Sequence, residues 1–412
     1  MMSNQSTGVN KLLLLSTILL ILFGIVVVYT ASSPRAVAKG LPAEFYLKAH
    51  IGKVLVAFVA MFIASKIDYG VWKKIARIVF LAGCVLTLAA ILFGPSIKGA
   101  HRWIWGIQPS EVLKFGVIAM VASKLSDAGT EIKSLKCSIL QPGVPLVIAA
   151  ILLALQPNFS MLAMFVGIFT VMLVVAGANI KYMLETFGIS VGIGGILLLI
   201  KGVIAHFKDS GEEVAENIEK SQPFYQHVID RFNAFLNPES SDHAMQGSRA
   251  LEALGNGGFF GTGIGNSAHK FGYLPEAHKD VIYSVVGEEF GFIGTMAVLV
   301  AFAILFYQGF EIARNSSTRF GKYLAVALTI SLFFNFTVHV CVSTGLIPTT
   351  GQPLPFLSYG GTNLIFSGLF IGILLNISKP GTGKRISEPY MGGPRTMTYS
   401  LFGDSETTRT ER

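Results

Sequence analysis

The chain has 412 residues, of which 52% are hydrophobic and 14% are charged, and its net charge is +8. Soluble domains carry about 25% charged residues, so this composition argues against a soluble globular protein. In a membrane protein the positive charge indicates Lys and Arg in cytoplasmic loops rather than a nucleic-acid partner. The three cysteines, Cys84, Cys137 and Cys341, have neither disulfide-framework nor metal-cluster spacing.

Ten apolar segments predict an all-α fold, a polytopic membrane helical bundle of about 10 transmembrane helices. They cover residues 12–31, 50–66, 75–94, 110–124, 141–156, 158–177, 183–203, 283–309, 322–345 and 358–377. The first exceeds the roughly 7–15 apolar residues of a secretory signal, so we expect it to be retained. Residues 1–378 then form a single membrane domain, and the polar residues 379–412 form a flexible cytoplasmic tail.

Lys and Arg are more frequent in the loops on one side of this bundle, which predicts that the N- and C-termini are both cytoplasmic. The long loop over 204–280, between the seventh and eighth helices, is then extracytoplasmic. Its apolar residues over 224–236 have helical spacing, which predicts either an amphipathic helix on the membrane surface or a loop helix packed on the bundle. Residues 244–254 predict a second short helix, and the glycines of 255–265 predict tight turns.

A first polar cluster spans residues 98–114, KGAHRWIWGIQPSEVLK. Glu111 and Lys114 are three residues apart and share one helix face, where they form either part of a site or a structural ion pair. The planar guanidinium of Arg102 suits phosphate oxygens. Trp103 and Trp105 could equally anchor the chain at the membrane interface.

A second cluster spans the end of the long loop and the start of the eighth helix. Asp280 lies at this junction, where a carboxylate partly shielded from water can act as a general base, or alternatively can cap the helix. Lys270 and His278 precede it. Glu288 and Glu289 follow two turns later and point about 100° apart, so we expect one to face the bundle and the other the interface.

The third cluster, TTGQPLPFLSYGG, covers residues 349–361 before the last helix. Its prolines restrict the backbone, and Gly360 and Gly361 allow close approach. Ser358 and Tyr359 offer hydroxyl groups, although a purely structural re-entrant turn is the alternative. Together the three clusters predict an outward-facing polar site that suits a lipid-linked anionic substrate better than a free sugar.

These clusters, in this order among ten spans, resemble the SEDS (shape, elongation, division and sporulation) family over about residues 10–380. GNSAHKFGYLPEAHKD with IYSVVGEEFG is similar to the most specific signature of that family, and RW…QPSEVLK and PLPFLSYGG are further matches. The form of the signature favours the division-type FtsW branch over the elongation-type RodA branch.

The resemblance implies an enzyme that polymerises lipid II into glycan strands at the outer face of the bacterial cytoplasmic membrane during septal cell-wall synthesis. By resemblance, Asp280 is the essential aspartate, and Trp103, Glu111 and Lys114 match functional positions. Asp280 would take a proton from the acceptor sugar hydroxyl, whose oxygen attacks the anomeric carbon of the donor. Undecaprenyl diphosphate would leave with inversion, and Arg102, Lys114 and Lys270 are candidates to stabilise it.

The resemblance also implies partners and a cofactor. We expect a class B penicillin-binding protein that cross-links the strands, other divisome proteins and membrane lipids, but no nucleic acid. We further expect a divalent cation, Mg²⁺ or Mn²⁺, with Asp280 as a ligand, because magnesium binds through few carboxylates plus phosphates. No organic cofactor is expected.

The sequence departs from the family pattern at two places. Asn158 stands where the family has an acid after the fifth span, and Val281 and Tyr283 replace phenylalanines next to Asp280. Two other functions also fit a bundle with buried charges. A lipid II flippase would need polar groups along the whole membrane path, whereas these lie in the outer half. A scaffold that recruits the cross-linking partner would not need Asp280.

Overall fold

The computed structural model describes residues 10–95, 101–156, 158–185, 235, 242–267 and 278–383. The helices are α1 (Lys11–Ala38), α2 (Phe45–Lys66), α3 (Gly70–Phe93), α4 (Pro109–Ala128), α5 (Gln141–Leu155), α6 (Phe159–Ala176), α7 (Asp242–Gly257), α8 (Ile282–Arg314), α9 (Arg319–Ser343) and α10 (Gly361–Ile377). They confirm the all-helical bundle.

The predicted apolar segments coincide with helices, except that 183–203 lies largely outside the described residues. The same holds for the predicted surface helix over 224–236, of which only residue 235 is described, and for the tail beyond 383. In the part of the chain that the structure describes, 7 helical segments are long and apolar enough to cross a membrane. Helix α4 carries more charges than these, and α10 has only 17 residues.

The helices alternate in direction, so the loops gather at two ends of the bundle. The Asp280 end holds the turn at residues 278–280, the loop at 344–360 and the start of α4. The Tyr69 end holds the α2–α3 turn at residues 67–69, the α8–α9 turn at 315–318 and residues 378–383 after α10. The three polar clusters of the sequence therefore belong to the Asp280 end.

Two helix pairs approach each other at backbone distance through glycines. A Cβ atom at Gly368 of α10 would lie 2.6 Å from the carbonyl oxygen of Ala57 in α2. A Cβ atom at Gly116 of α4 would lie 2.6 Å from the Cα of Phe80 in α3. Small residues allow this kind of close packing inside membranes. As a result, α2 is held directly against α10, and α3 against α4.

Helix α8 is interrupted at Gly291, whose φ of 67° and ψ of −163° are not helical. The glycine-rich loop after α7 supplies hydrogen bonds at this break. The amide of Thr262 donates to the carbonyl of Glu288 at 2.9 Å, and the amide of Phe292 donates to the carbonyl of Gly258 at 2.9 Å. Gly261 and Gly291 both have positive φ. A Cβ atom on Gly261 would collide with the backbone of α8, and a Cβ atom on Gly291 would collide with the backbone of the loop.

This arrangement confirms the tight turns predicted over 255–265, and it shows their purpose. Because Gly257 and Gly261 have no side chains, the backbone of the loop packs directly against the backbone of α8. Helix α7 spans Asp242–Gly257 and so extends beyond the predicted 244–254, because the turn begins only where the chain meets α8.

At the Tyr69 end, the residues after α10 are tied to the α2–α3 turn. The Asn376 carboxamide accepts from the amide of Tyr69 at 2.9 Å and donates to the carbonyl of Ser65 at 3.2 Å. The Asp68 carboxylate accepts from the amide of Gly383 at 3.0 Å. These contacts hold residues 378–383 against the bundle.

Two further side chains complete this region. The Tyr69 hydroxyl lies 3.1 Å from the hydroxyl of Thr318. Lys379 Nζ donates to the carbonyl of Ser65 at 2.5 Å. Partial burial, together with the neighbouring charge of Lys66, lowers the pKa of Lys379. The basic and polar side chains named at this end therefore have partners within the chain itself.

Candidate functional site

The turn that carries Asp280 meets the loop before α10. The amide of Tyr359 donates to the carbonyl of His278 at 2.9 Å. On the other side of the turn, a Cβ atom at Gly351 would lie 4.0 Å from Asp280 Oδ2. The second and third sequence clusters, which are far apart along the chain, thus form one site at the Asp280 end.

A buried histidine joins the same two segments from behind. His339 of α9 is fully buried, and its Nδ1 lies 2.9 Å from the carbonyl oxygen of Gln352. Its Nε2 accepts from the amide of Tyr283, in the first turn of α8, at 3.4 Å. This pattern requires the tautomer with the proton on Nδ1. His339 therefore fixes the loop at 350–352 relative to the helix that follows Asp280.

Asp280 does not occupy the capping position that we considered as its alternative role. Helix α8 begins at Ile282, and Val281 is its N-cap, without a side-chain cap. Asp280 precedes the cap and is partly exposed. The role of Asp280 as a base stays a prediction.

Ser358 has a structural partner. Its hydroxyl accepts from the amide of Leu354 at 2.8 Å, and its side chain is buried. Leu354, Phe356 and Leu357 are buried as well. The loop at 344–360 therefore enters the bundle, as the re-entrant alternative supposed. Of its two candidate hydroxyl groups, that of Ser358 is used to close the turn, whereas Tyr359 faces the site.

Aromatic rings and a lysine surround Tyr359. The rings of His278, Tyr46 and His50 lie 5.4, 5.7 and 5.9 Å from it, measured between centroids. Lys53 Nζ lies 3.4 Å from the Tyr359 ring centroid, a cation–π contact. These residues come from α2, from the turn before α8 and from the loop before α10, so three separate segments build one surface.

Our reading of the sequence missed Lys53 and His50 because they lie within or at the edge of the apolar segment 50–66. A signal was present, since an ionisable residue inside an apolar span is a functional candidate by default. Lys53 lies eight residues after Phe45, or about 12 Å along α2. The mean hydropathy of residues 50–66 is dominated by the apolar neighbours of Lys53, so the lysine was overlooked.

Glu111 and Lys114 form the ion pair that their spacing predicted. Lys114 Nζ lies 2.7 Å from Glu111 Oε2, and both side chains are almost fully buried. Lys114 Nζ also lies 5.8 Å from the ring centroid of Phe370 in α10. The amide of Gln108 donates to the Thr362 hydroxyl at 3.1 Å. The first cluster is thus fastened to α10 beside the other two.

Arg102 and Trp103 lie at the edge of this region. Arg102 Nε donates to the carbonyl of Gln156 at 3.3 Å, and the Gln156 amide group donates to the carbonyl of His101 at 3.1 Å. The α3–α4 loop is therefore anchored to the α5–α6 turn, where Asn158 is buried. Trp103 is half-buried and Trp105 is exposed.

One expectation was wrong: Glu288 and Glu289 do not divide between the bundle and the interface. Both are buried, each with 1% of its surface exposed. The glycine-rich loop packs over this stretch of α8, and the Ser267 hydroxyl donates to the Glu288 carboxylate. Glu288 is therefore engaged in holding the end of that loop. Lys270, predicted to bind substrate, lies outside the described residues.

A metal ion at Asp280, as predicted, would need further ligands close to that carboxylate. Among the described residues no group of three or more His, Cys, Asp or Glu side chains could hold a metal ion. Asp280 with neighbouring His278 does not make an all-protein cage. Magnesium commonly binds through one or two carboxylates together with substrate phosphates, so a cation at Asp280 would require oxygen ligands from the substrate.

Comparison with known sequences identifies relatives over nearly the whole chain. The profile of the cell cycle protein family of FtsW, RodA and SpoVE matches residues 10–382. A probable peptidoglycan glycosyltransferase FtsW of Geobacter sp. (strain M18) is 36% identical, over 90% of this chain and 97% of that protein. Stage V sporulation protein E of Bacillus subtilis (strain 168) is 32% identical, over 92% of this chain and 99% of that protein.

Solved structures agree. The rod shape determining protein RodA of Thermus thermophilus superposes with a TM-score of 0.60 at 19% identity, covering 91% of this chain and 98% of that one. A chain from a peptidoglycan synthase complex superposes with a TM-score of 0.68 at 19% identity, covering 90% and 98%. These superpositions establish a shared fold. With the profile and the sequence relatives, they show that the chain is a multi-pass membrane protein of the FtsW, RodA and SpoVE family of cell cycle proteins.

Proposed function

We propose that this protein is a peptidoglycan glycosyltransferase that polymerises lipid II during cell division. The observation that carries the proposal is the position of Asp280 in a turn that meets the loop before α10. Asp280 does not cap α8, and it is partly exposed. The name of the Geobacter relative, a probable peptidoglycan glycosyltransferase FtsW, supports the same activity.

In the proposed reaction, Asp280 accepts the proton of the acceptor sugar hydroxyl. The oxygen forms a bond to the anomeric carbon of the donor, and the bond from that carbon to the diphosphate oxygen breaks. Polyprenyl diphosphate leaves with both electrons of that bond. Inversion in one displacement requires no covalent enzyme intermediate. His339 contributes by holding the segments on both sides of Asp280 in place.

The basic side chains at the Tyr69 end support a cytoplasmic position for that end. Lys73, for example, pairs with Asp127 there at 2.8 Å. The Asp280 end then faces outward from the bacterial cytoplasmic membrane, where lipid-linked substrate is polymerised. One structurally similar chain belongs to a synthase complex that coordinates polymerization and crosslinking, which supports a transpeptidase as the partner of this chain.

The test is polymerisation of labelled lipid II by the purified chain with its cognate transpeptidase, comparing wild type with Asp280→Asn. The substitution preserves size and removes the base, so we expect polymerisation to fall by about 100-fold or more. Asp127→Asn is the matched control, because it removes a carboxylate at the opposite end whose surface pair is worth about 1 kcal/mol or less.

Equal activity of Asp280→Asn and wild type would refute the role of Asp280. Transfer of lipid II across reconstituted vesicles without polymerisation would instead favour the flippase alternative. A third arm removes divalent cations with a chelator. If a cation bridges Asp280 and the substrate phosphates, activity should fall and should return when Mg²⁺ or Mn²⁺ is added, whereas unchanged activity would refute the cation.

A further inference from the structure

The first turn of α10 presents hydrogen-bond donors without acceptors. Gly360 is the N-cap, and it has no side chain that could accept a hydrogen bond from the first turn. The amides of Gly361, Thr362 and Asn363 therefore have no intrahelical partner. Among the described residues they make no other backbone hydrogen bond, because the first amide of this turn to do so is that of Leu364, which donates to Gly360.

Lys53 lies directly on this turn. A Cβ atom at Gly361 would be 3.2 Å from the Cδ of Lys53 and 3.3 Å from its Cε. The absence of a side chain at Gly361 thus makes room for the lysine. Within the described part of the chain, Lys53 has no carboxylate partner at salt-bridge distance.

Two buried side chains beside the turn also lack partners. Neither ring nitrogen of His50 has a hydrogen-bond partner among the described residues, although the side chain is fully buried. His50 is one turn before Lys53 and faces Tyr359. The carboxamide nitrogen of Asn363, in the first turn of α10, is also buried without a partner in that part of the chain.

Buried polar groups are normally satisfied, and each exception requires an explanation. At the start of α10, the amides of the first turn, the Asn363 carboxamide nitrogen and the Lys53 ammonium group are all donors. The positive end of a helix dipole adds to the same field. The arrangement therefore has the chemistry of an anion site, analogous to those at other helix N-termini.

We infer that the first turn of α10 and Lys53 bind the diphosphate of the polyprenyl-linked substrate, within reach of the Asp280 turn. The inference rests on the proposed function and adds a binding site to it. A lipid-linked diphosphate fits because Lys53 belongs to a candidate membrane-spanning helix, and because several donors at one helix start suit the oxygens of a diphosphate. The cation–π contact with Tyr359 holds the ammonium group in place while the site is open.

The experiment measures binding directly, without polymerisation. Undecaprenyl diphosphate is titrated against the full-length protein in detergent by native mass spectrometry, with undecaprenyl monophosphate and inorganic pyrophosphate as the other two probes. We expect Lys53→Met to weaken diphosphate binding by about tenfold or more, since a charge-assisted contact is lost. Lys53→Arg should retain binding, because the positive charge remains.

Lys48→Met is the matched control. Lys48 belongs to the same helix but is exposed, and it pairs with Glu44 at 3.3 Å, so its loss should change binding by about twofold or less. Thermal unfolding of each variant verifies that it is folded, and Lys53→Arg provides the readout if Lys53→Met is not.

Binding by Lys53→Met within about twofold of wild type would overturn the inference. Equal affinity for inorganic pyrophosphate would overturn the assignment to a lipid-linked ligand. The two proposals fail separately. A protein that binds undecaprenyl diphosphate through Lys53 but never polymerises lipid II contradicts the proposed function alone. A protein that polymerises lipid II while Lys53→Met binds normally contradicts this inference alone.

Discussion

The Tyr69 end and the Asp280 end of the bundle use similar side chains for opposite purposes. At the Tyr69 end, Asn376, Asp68 and Lys379 are all engaged with backbone groups of the chain. At the Asp280 end, His50 and Asn363 are buried without hydrogen-bond partners in the described residues. The side chains at the Tyr69 end stabilise the fold, whereas those at the Asp280 end have unused hydrogen-bonding groups that a ligand can engage.

The difference between the two ends is informative because burying a polar group without a hydrogen-bond partner costs free energy. An unsatisfied buried polar group costs about 1–3 kcal/mol, and proteins tolerate it mainly where it has a use. The Tyr69 end shows that this fold can satisfy the polar groups named there. Other buried polar atoms of the described residues, such as the Trp72 indole nitrogen and the Asn335 carboxamide, also lack hydrogen-bond partners. What distinguishes the Asp280 end is that, within the described chain, unsatisfied donors and an unpaired lysine lie around the start of one helix. Three substitutions test this division between the two ends.

The largest effect on stability is expected at Lys114. Lys114→Met leaves the Glu111 carboxylate buried without its partner, which should lower the free energy of unfolding by about 3–5 kcal/mol. The double variant Glu111→Leu with Lys114→Met should lose less, because no charge remains buried. Denaturant titration in mixed micelles measures both variants.

A double variant that is as unstable as the single one would show that the pair contributes net stability rather than compensating for its own burial. If the double variant is stable but cannot polymerise lipid II, the pair belongs with the ligand-directed groups of the Asp280 end. If it is both stable and active, the pair is structural.

A somewhat smaller effect is expected at the break in α8. Gly291→Ala places a Cβ atom against the loop backbone at Gly261 and forces a residue with a side chain into a conformation reserved for glycine. The cost should be about 3 kcal/mol. The readout is the midpoint of thermal unfolding in detergent.

Gly247→Ala in α7 is the matched control, because a Cβ atom there meets nothing within 4 Å. Alanine is favoured over glycine inside a helix, so this variant should be unchanged or slightly more stable. If Gly291→Ala is equally benign, the loop and the helix do not approach as closely as the structure indicates.

The smallest effect is expected at the Tyr69 end. Asn376→Ala removes the acceptor for the amide of Tyr69, which should cost about 1–3 kcal/mol of stability. Polymerisation per folded molecule should not change, because none of the groups that we assign to the ligand lies at this end. A fall in activity with unchanged stability would contradict the division between the two ends.

The sequence allowed much of this architecture to be anticipated, but unevenly. The position of Asp280 just before α8 could be predicted because it marks the change from a polar loop to an apolar helix. The Glu111 and Lys114 pair followed from helical spacing alone. The meeting of His278 with Tyr359 depends on how distant segments fold together, which periodicity does not report. Lys53 was hidden because its apolar neighbours dominate any average over its segment.

The close packing of α2 on α10 has a mechanical consequence. Because Gly368 lets the two backbones touch, Lys53 keeps its place beside Gly361 only as long as α2 and α10 stay in contact. The hydrogen bond from the amide of Tyr359 to the carbonyl of His278 ties the start of α10 to the Asp280 turn as well. The same packing therefore sets both the grip on the diphosphate and its distance from the base.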